Sequence, residues 1–371
     1  MNYDKNVVFF LLNAYSVFNP LNNNASIGGS EVDVYNTAVF LKNNGYKITV
    51  LVGDFGQKNI EYYNGIKVVK TIKSKNNGFI GGIINGLKLF FYLYKSKGDI
   101  YIFKCASHYL GLGVIFGKFF GKKIIFRTAH DIDCNGDFIK NNGILGKIYK
   151  YGLLNSDFII TQNRENSLML SKKYGINSSF IGNIYDIKKE KITSFERRSY
   201  ILWISRCEKW KRPEIFLDVV EKNRKKKFLM ICPRSKGKDT YYSEIKKRAE
   251  CYRNLKFIEK VPFKKVQEYY NSAICFIGTS DYEGFPNTYI QSCLGGTPII
   301  SLNVNPNNFI IKNNIGFFCN GDVNCLSNRL KIIEQKDIWH KLSNNTINYV
   351  VKNHSYDHEG KKYLVLLDNI K

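Results

Sequence analysis

Apolar runs and amphipathic stretches alternate along the whole of this chain. Strand-like runs fall at residues 7–12, 47–52, 66–69, 99–103, 123–126 and 157–161. Between the first two, Val34, Ala38 and Leu41 lie at i, i+4 and i+7, the spacing of one helix face, and Gly45 is placed to stop that helix. The pattern then restarts, with runs at 201–205, 227–231, 255–259, 274–277 and 298–301 and helices between them. Strands that alternate with helices predict parallel sheets covered on both faces. The expected fold class is therefore α/β, with two consecutive doubly wound domains. Residues 1–185 form the first and 199–354 the second. Residues 186–198 are charged, lack periodicity and read as a linker. The tail, 355–371, reads as a helix packing back on the first domain.

Composition agrees with this division. A chain of 371 residues, 44% hydrophobic and 15% aromatic, can bury two cores. The nine cysteines form no Cys-x-x-Cys pair and most lie in apolar runs, which predicts small core residues in a reducing compartment. The amino-terminal residues are short and polar and read as no secretory signal. No apolar run approaches the roughly 20 residues that span a bilayer. The expected location is cytoplasmic. A formal charge of +25 favours anionic partners: nucleotides, nucleic acid or an acidic membrane face.

The densest chemical signal is residues 279–298. The loop holding Glu283, Gly284, Phe285 and Pro286 follows a strand, and a helix is predicted to begin near Asn287, read as its N-cap. Gly295 and Gly296 end that helix and Pro298 begins the next strand. The start of such a helix offers backbone N–H groups and a positive dipole end to an anion. A carboxylate beside it would repel the anion unless it serves another part of the ligand, such as sugar hydroxyls. Arg206 and Lys211 follow the first strand of the second domain, where two fixed cations can neutralise a departing diphosphate. Gly28 and Gly29 precede the first helix, and His130 and Asp131 follow the run 123–126.

These residues resemble glycosyltransferase family 4, the retaining group with the GT-B architecture of two Rossmann-like domains facing a cleft. The family carries Glu-Gly-Phe-Pro, a second carboxylate eight residues after the first, and Gly-Thr-Pro. Here the motif is Glu283-Gly284-Phe285-Pro286 and Gly296-Thr297-Pro298, with Gln291 in place of the second acid. The resemblance implies that Glu283 contacts the donor sugar. It implies that N–H groups near Phe285, Pro286, Asn287 and Thr288 hold the diphosphate, and that Gln291 meets the ribose hydroxyls, where an amide still donates and accepts. Arg206 and Lys211 match the family's Arg and Lys spacing, with Ser205 and Arg212 in place of two glycines. Gly28 and Gly29 resemble the glycine-rich first loop, and His130 with Asp131 resembles the pair that faces the transferred sugar. The base pocket is expected near residues 260–263.

The implied reaction is a retaining transfer from a nucleotide sugar to a hydroxyl of a glycan or lipid-linked acceptor. Catalytic roles fall to Glu283, His130 and Asp131. The sequence Asp131-Ile132-Asp133 is an Asp-x-Asp of the kind that holds a divalent cation, but it lies far in sequence from the donor stretch, so the site is read as metal-free and without a cofactor. Basic and aromatic residues at 79–97 and 109–123 suit peripheral contact with an acidic membrane. Alternatives stay open. One is a GT-B nucleotide-sugar epimerase. Another is a non-enzymatic nucleic-acid-binding protein, which would explain the charge but not the two α/β halves, and no nucleic-acid-binding motif stands out.

Overall fold

The computed structural model describes residues 5–19, 27–73, 78–187, 192–235, 237 and 239–370. It divides into two compact units, Met1–Asp186 together with Tyr356–Lys371, and Ile187–Ser355.

The first unit contains an eight-stranded sheet. Its strands are β1 (Asn6–Phe10), β2 (Lys47–Val52), β3 (Ile60–Tyr63), β4 (Ile66–Lys70), β5 (Ile100–Lys104), β6 (Lys123–Arg127), β7 (Phe158–Thr161) and β8 (Ser179–Phe180). The order is β3-β4-β2-β1-β5-β6-β7-β8. All neighbours pair in parallel except β3, which runs antiparallel to β4 at the edge. The sequence reading missed β3 and β8. The burial of β3 alternates and β8 has two residues, so neither presents an apolar run. The central strands are apolar throughout because both faces are covered. Val7, Val8 and Phe9 are 0–1% exposed, and each such side chain contributes roughly 1.5–3 kcal/mol of burial.

The second unit contains six strands, β9 (Tyr200–Ile204), β10 (Phe228–Ile231), β11 (Leu255–Ile258), β12 (Ala273–Gly278), β13 (Ile299–Ser301) and β14 (Gly316–Phe318). They run parallel in the order β11-β10-β9-β12-β13-β14. The chain starts at the centre with β9, builds outward on one side through β10 and β11, then crosses to β12. That reversal between β9 and β12 is the topological switch point where open α/β sheets bind ligands. The first unit has the same reversal between β1 and β5.

Residues 192–198, read as part of a linker, are counted with the second unit. Arg198 explains why. Its guanidinium is buried, donates to the carbonyls of Ala273 (2.7 Å) and Gly295 (2.7 Å) and to Thr297 Oγ1 (2.6 Å), and lies over the Trp339 ring. A cation there meets the negative end of the helix Asn287–Leu294. The tail begins with a π-helical turn, Tyr356–Gly360, and continues as the helix Lys361–Asp368 within the first unit.

Candidate active site

In the second unit, Arg206 and Lys211 follow β9 and Glu283 follows β12, so the loops that carry them leave adjacent strands at the switch point. Lys211 Nζ pairs with Glu283 Oε1, and the two side chains are 12% and 8% exposed. Ser280 Oγ donates to the same carboxylate oxygen at 3.0 Å. The Lys211 ammonium also stands 3.9 Å from the centre of the Trp210 ring, which stacks on Tyr282 at 5.1 Å. Burial pushes the Lys211 pKa below its ordinary 10.5; Glu283 opposes this and Arg206 adds to the push. Arg206 is therefore within electrostatic reach of Lys211. Among the described residues no ion pair joins Arg206 to a carboxylate.

The two loops are braced on each other. Thr279 Oγ1 donates to the Lys211 carbonyl (2.7 Å) and accepts from Trp203 Nε1 (2.9 Å), and the Asp281 N–H donates to the Trp210 carbonyl (2.8 Å). Arg212, which stands where the resemblance implied glycine, adopts φ +51° and pairs with Glu214 and Asp281. Trp203, Trp210, Thr279 and Ser280 were not singled out from the sequence. Ser280 stands three residues before Glu283, a spacing that could have flagged it.

The helix Asn287–Leu294 places Asn287 at its first position and Pro286 at the N-cap. This corrects the expectation that Asn287 is the cap. Pro286, at φ −66° and ψ 120°, breaks the helix one residue earlier, and its carbonyl takes the first helical N–H, from Tyr289 at 3.1 Å. The N–H groups of Asn287 and Thr288 precede that bond and stand at the positive end of the helix. The Phe285 ring is buried against Phe309 (5.0 Å) and His354 (5.2 Å), so its backbone rather than its ring is what it can offer a ligand. Gln291 lies further along the same helix and is partly buried. Gly296, at φ +62°, turns the chain out of the helix in the left-handed region that favours glycine. Residues 260–263 follow β11 at the same edge of the sheet.

The basic run 222–227 lies elsewhere. With Lys331 and Glu334 it lines a groove of about 800 Å³ that includes Ile201 and Ile274, near the amino-terminal ends of β9 and β12.

In the first unit, Gly28 precedes the helix Gly29–Asn43, and its N–H is held by Glu31 Oε2 at 2.9 Å. His130 and Asp131 leave β6, and Asp131 opens a 3-10 turn, Asp131–Asp133. Asp133 is 2% exposed, and its two oxygens accept the N–H groups of Ala106 (2.9 Å), Ala129 (2.5 Å) and His130 (3.1 Å). Its carboxylate holds the loop that carries His130. The structure thus joins Lys211 and Glu283 directly, sets the Asn287 helix start in the same loop, and, in the first unit, sets Gly28 and Gly29 at the start of the helix Gly29–Asn43 and His130 and Asp131 just after β6.

The family model for glycosyl transferases group 1 matches residues 185–352, which is nearly the whole of the second unit. No curated protein matches the chain in sequence. Solved structures match over its full length. Sucrose-phosphate synthase from Thermosynechococcus elongatus aligns with a TM-score of 0.76 at 13% identity, covering 98% of this chain and 99% of that one. The Anabaena protein HepE, in complex with UDP and glucose, aligns with a TM-score of 0.74 at 13% identity over 99% and 100% of the two chains. A mutant of S. aureus TarM, in complex with fondaparinux, alpha-GlcNAc-glycerol and UDP, aligns with a TM-score of 0.71 at 14% identity over 98% and 99%.

The chain has the GT-B fold. Its second unit matches the glycosyl transferases group 1 model, and that match and the fold together make the chain an enzyme of the glycosyltransferase class. Among the described residues no helix is long and apolar enough to cross a membrane.

Proposed function

We propose that this chain is a retaining glycosyltransferase of family 4 type, moving a sugar from a nucleoside-diphosphate sugar to a hydroxyl of a glycan or lipid-linked acceptor without a metal. The observation that carries this reading is the Lys211–Glu283 pair, with Arg206 in electrostatic reach, at the switch point beside the start of the helix Asn287–Leu294. The N–H groups at 287 and 288 and the two cations grip the diphosphate, and Glu283 meets the sugar. Incoming phosphate competes with Glu283 for Lys211, which hands the carboxylate over to sugar hydroxyls. Gln291 takes the ribose. His130, Asp131, Gly28 and Gly29 serve the transferred sugar from the first unit.

In the transfer, the bond between the anomeric carbon and the phosphate oxygen breaks. The acceptor oxygen bonds to that carbon on the same face, and its proton passes to the departing phosphate. The cations stabilise the charge that develops there. The UDP complexes of HepE and TarM support a nucleoside-diphosphate donor. Thermal-shift screening with UDP-, GDP- and ADP-sugars, with and without chelator, tests the reading. Stabilisation by one donor that survives chelator is expected. No stabilisation, or stabilisation only with a divalent ion, overturns it.

We further propose peripheral contact with an acidic membrane at the cytoplasmic face. On the helix Gly78–Ser96, Leu87, Phe91 and Tyr94 are 56–68% exposed, and Phe119 on the helix His108–Phe120 is 79% exposed. Tyr94 and Phe120 touch at 5.3 Å, which joins the two faces, and Lys88, Lys95 and Lys118 lie among them. Co-sedimentation with anionic vesicles but not with zwitterionic ones is expected, and its loss in Leu87→Glu/Phe91→Glu.

A further inference from the structure

A buried charge cluster stands behind the strand ends of the first unit. The carboxylate is Asp33, one turn inside the helix that Gly28 and Gly29 begin. Lys104 ends β5 and Arg127 ends β6. The Arg127 fork grips Asp33 with Nε on Oδ2 (2.6 Å) and Nη2 on Oδ1 (2.9 Å). Lys104 Nζ donates to Asp33 Oδ2 (2.7 Å) and to the Thr128 carbonyl (2.8 Å). With the Gln162 amide turned to suit its neighbours, its oxygen takes the third Lys104 proton (2.7 Å) and its nitrogen donates to the Ala129 carbonyl (3.2 Å). The three charged side chains are 1–2% exposed. An ammonium has three protons to give, and each has an acceptor here.

The backbone beside the cluster is strained. Cys105, next after Lys104, adopts φ +67°, a region costly for a residue with a side chain. That turn brings the Ala106 N–H to Asp133, which also holds the N–H groups of Ala129 and His130. Cys105 Sγ reaches Ser30 Oγ at 3.2 Å, in the first turn of the helix after Gly28.

From these ties we infer that Lys104 and Asp33 are positioning residues, which lock the glycine turn at 28–29 and the loop 128–131 into one register and so set where His130 stands. Asp33 belongs to one segment, and Lys104 grips the other directly at the Thr128 carbonyl and, by way of Gln162, at the Ala129 carbonyl, so neither loop moves without breaking a buried, charge-assisted bond. The inference rests on the reading of Gly28, Gly29 and His130 as transfer-site residues only for its effect on turnover; the structural lock stands or falls without it.

The test uses the full chain with Lys104→Met, the milder Gln162→Met, and Leu93→Ala as a control that loosens the buried core of the same unit. Amide resonances of Gly28, Gly29, Ala129 and His130 should shift or broaden together in Lys104→Met and move less in Gln162→Met. Those of His340 and His354 in the second unit should stay. Transfer from the donor found by thermal shift should fall about 10- to 100-fold in Lys104→Met, with affinity for that donor's nucleoside diphosphate unchanged, whereas Leu93→Ala with a similar loss of melting temperature should keep its turnover. Unmoved loop resonances in folded Lys104→Met or Gln162→Met overturn the lock, and an equal loss of turnover in Leu93→Ala overturns its effect on transfer. A wild-type chain that binds no nucleotide sugar sinks the proposed function instead, and leaves the resonance comparison valid.

Discussion

Near the carboxyl-terminal ends of parallel strands in each unit stand one carboxylate and two cations: in the first, Arg127 and Lys104 both grip Asp33, and in the second, Lys211 pairs with Glu283 while Arg206 stands in electrostatic reach of Lys211. In the first set every charge is at most 2% exposed, the carboxylate takes both cations, and carbonyls accept the remaining protons. In the second set the pair keeps 8–12% exposure, and among the described residues no carboxylate pairs with the remaining cation. The stoichiometry is the same, so composition does not separate the two. Partner count does. A sealed and saturated cluster has nothing to give a ligand and fixes backbone instead. An unsaturated cluster beside a helix start can exchange a carboxylate for a phosphate at little cost.

The sharpest way to break this contrast is Glu283→Ala. Transfer should fall by about 10³-fold or more, while calorimetry finds nucleoside diphosphate binding kept, because phosphate replaces the lost carboxylate on Lys211. Retained transfer would mean that the second cluster is structural too. Next in size, Asp33→Asn should destabilise the first unit by about 3–5 kcal/mol in denaturant unfolding, since it leaves two sealed cations without their counter-charge. A third probe, Lys211→Met, should weaken nucleoside diphosphate binding about 10- to 100-fold by calorimetry.

The smallest effect is on acid stability. Burial alone would raise the Asp33 pKa, yet Arg127 and Lys104 outweigh it and hold the group at about 2, against an ordinary 3.8. A lowered carboxylate stabilises fully above its unfolded value and loses that contribution as pH falls through the folded one. Roughly 2 kcal/mol should therefore disappear between about pH 4 and pH 2. Urea unfolding across that range should show the loss in wild type and not in Asp33→Asn.

Much of the fold was legible because buried parallel strands are continuous apolar runs, and the loop from Glu283 to Pro298 is spelled out by glycine and proline. The elements that escaped were those without such a run, β3, β8 and β14, the last being three partly buried residues. Arg198 was read as part of a polar linker because a cation satisfied by carbonyls leaves no pairing pattern in sequence. Asp133, read as half of an Asp-x-Asp, turned out to hold three backbone N–H groups.

By itself the sequence determined the two α/β halves, the strand-to-helix loop at Glu283 and the residue types that stand there, because those follow from local periodicity and from the fixed geometry of proline and glycine. Only the tertiary structure decided which charges meet: that Lys211 faces Glu283 across 72 positions, and that Asp33 is shared by Lys104 and Arg127 across 71 and 94. Those pairings depend on strand order, and strand order is set by how the sheets assemble, not by any neighbouring residues along the chain.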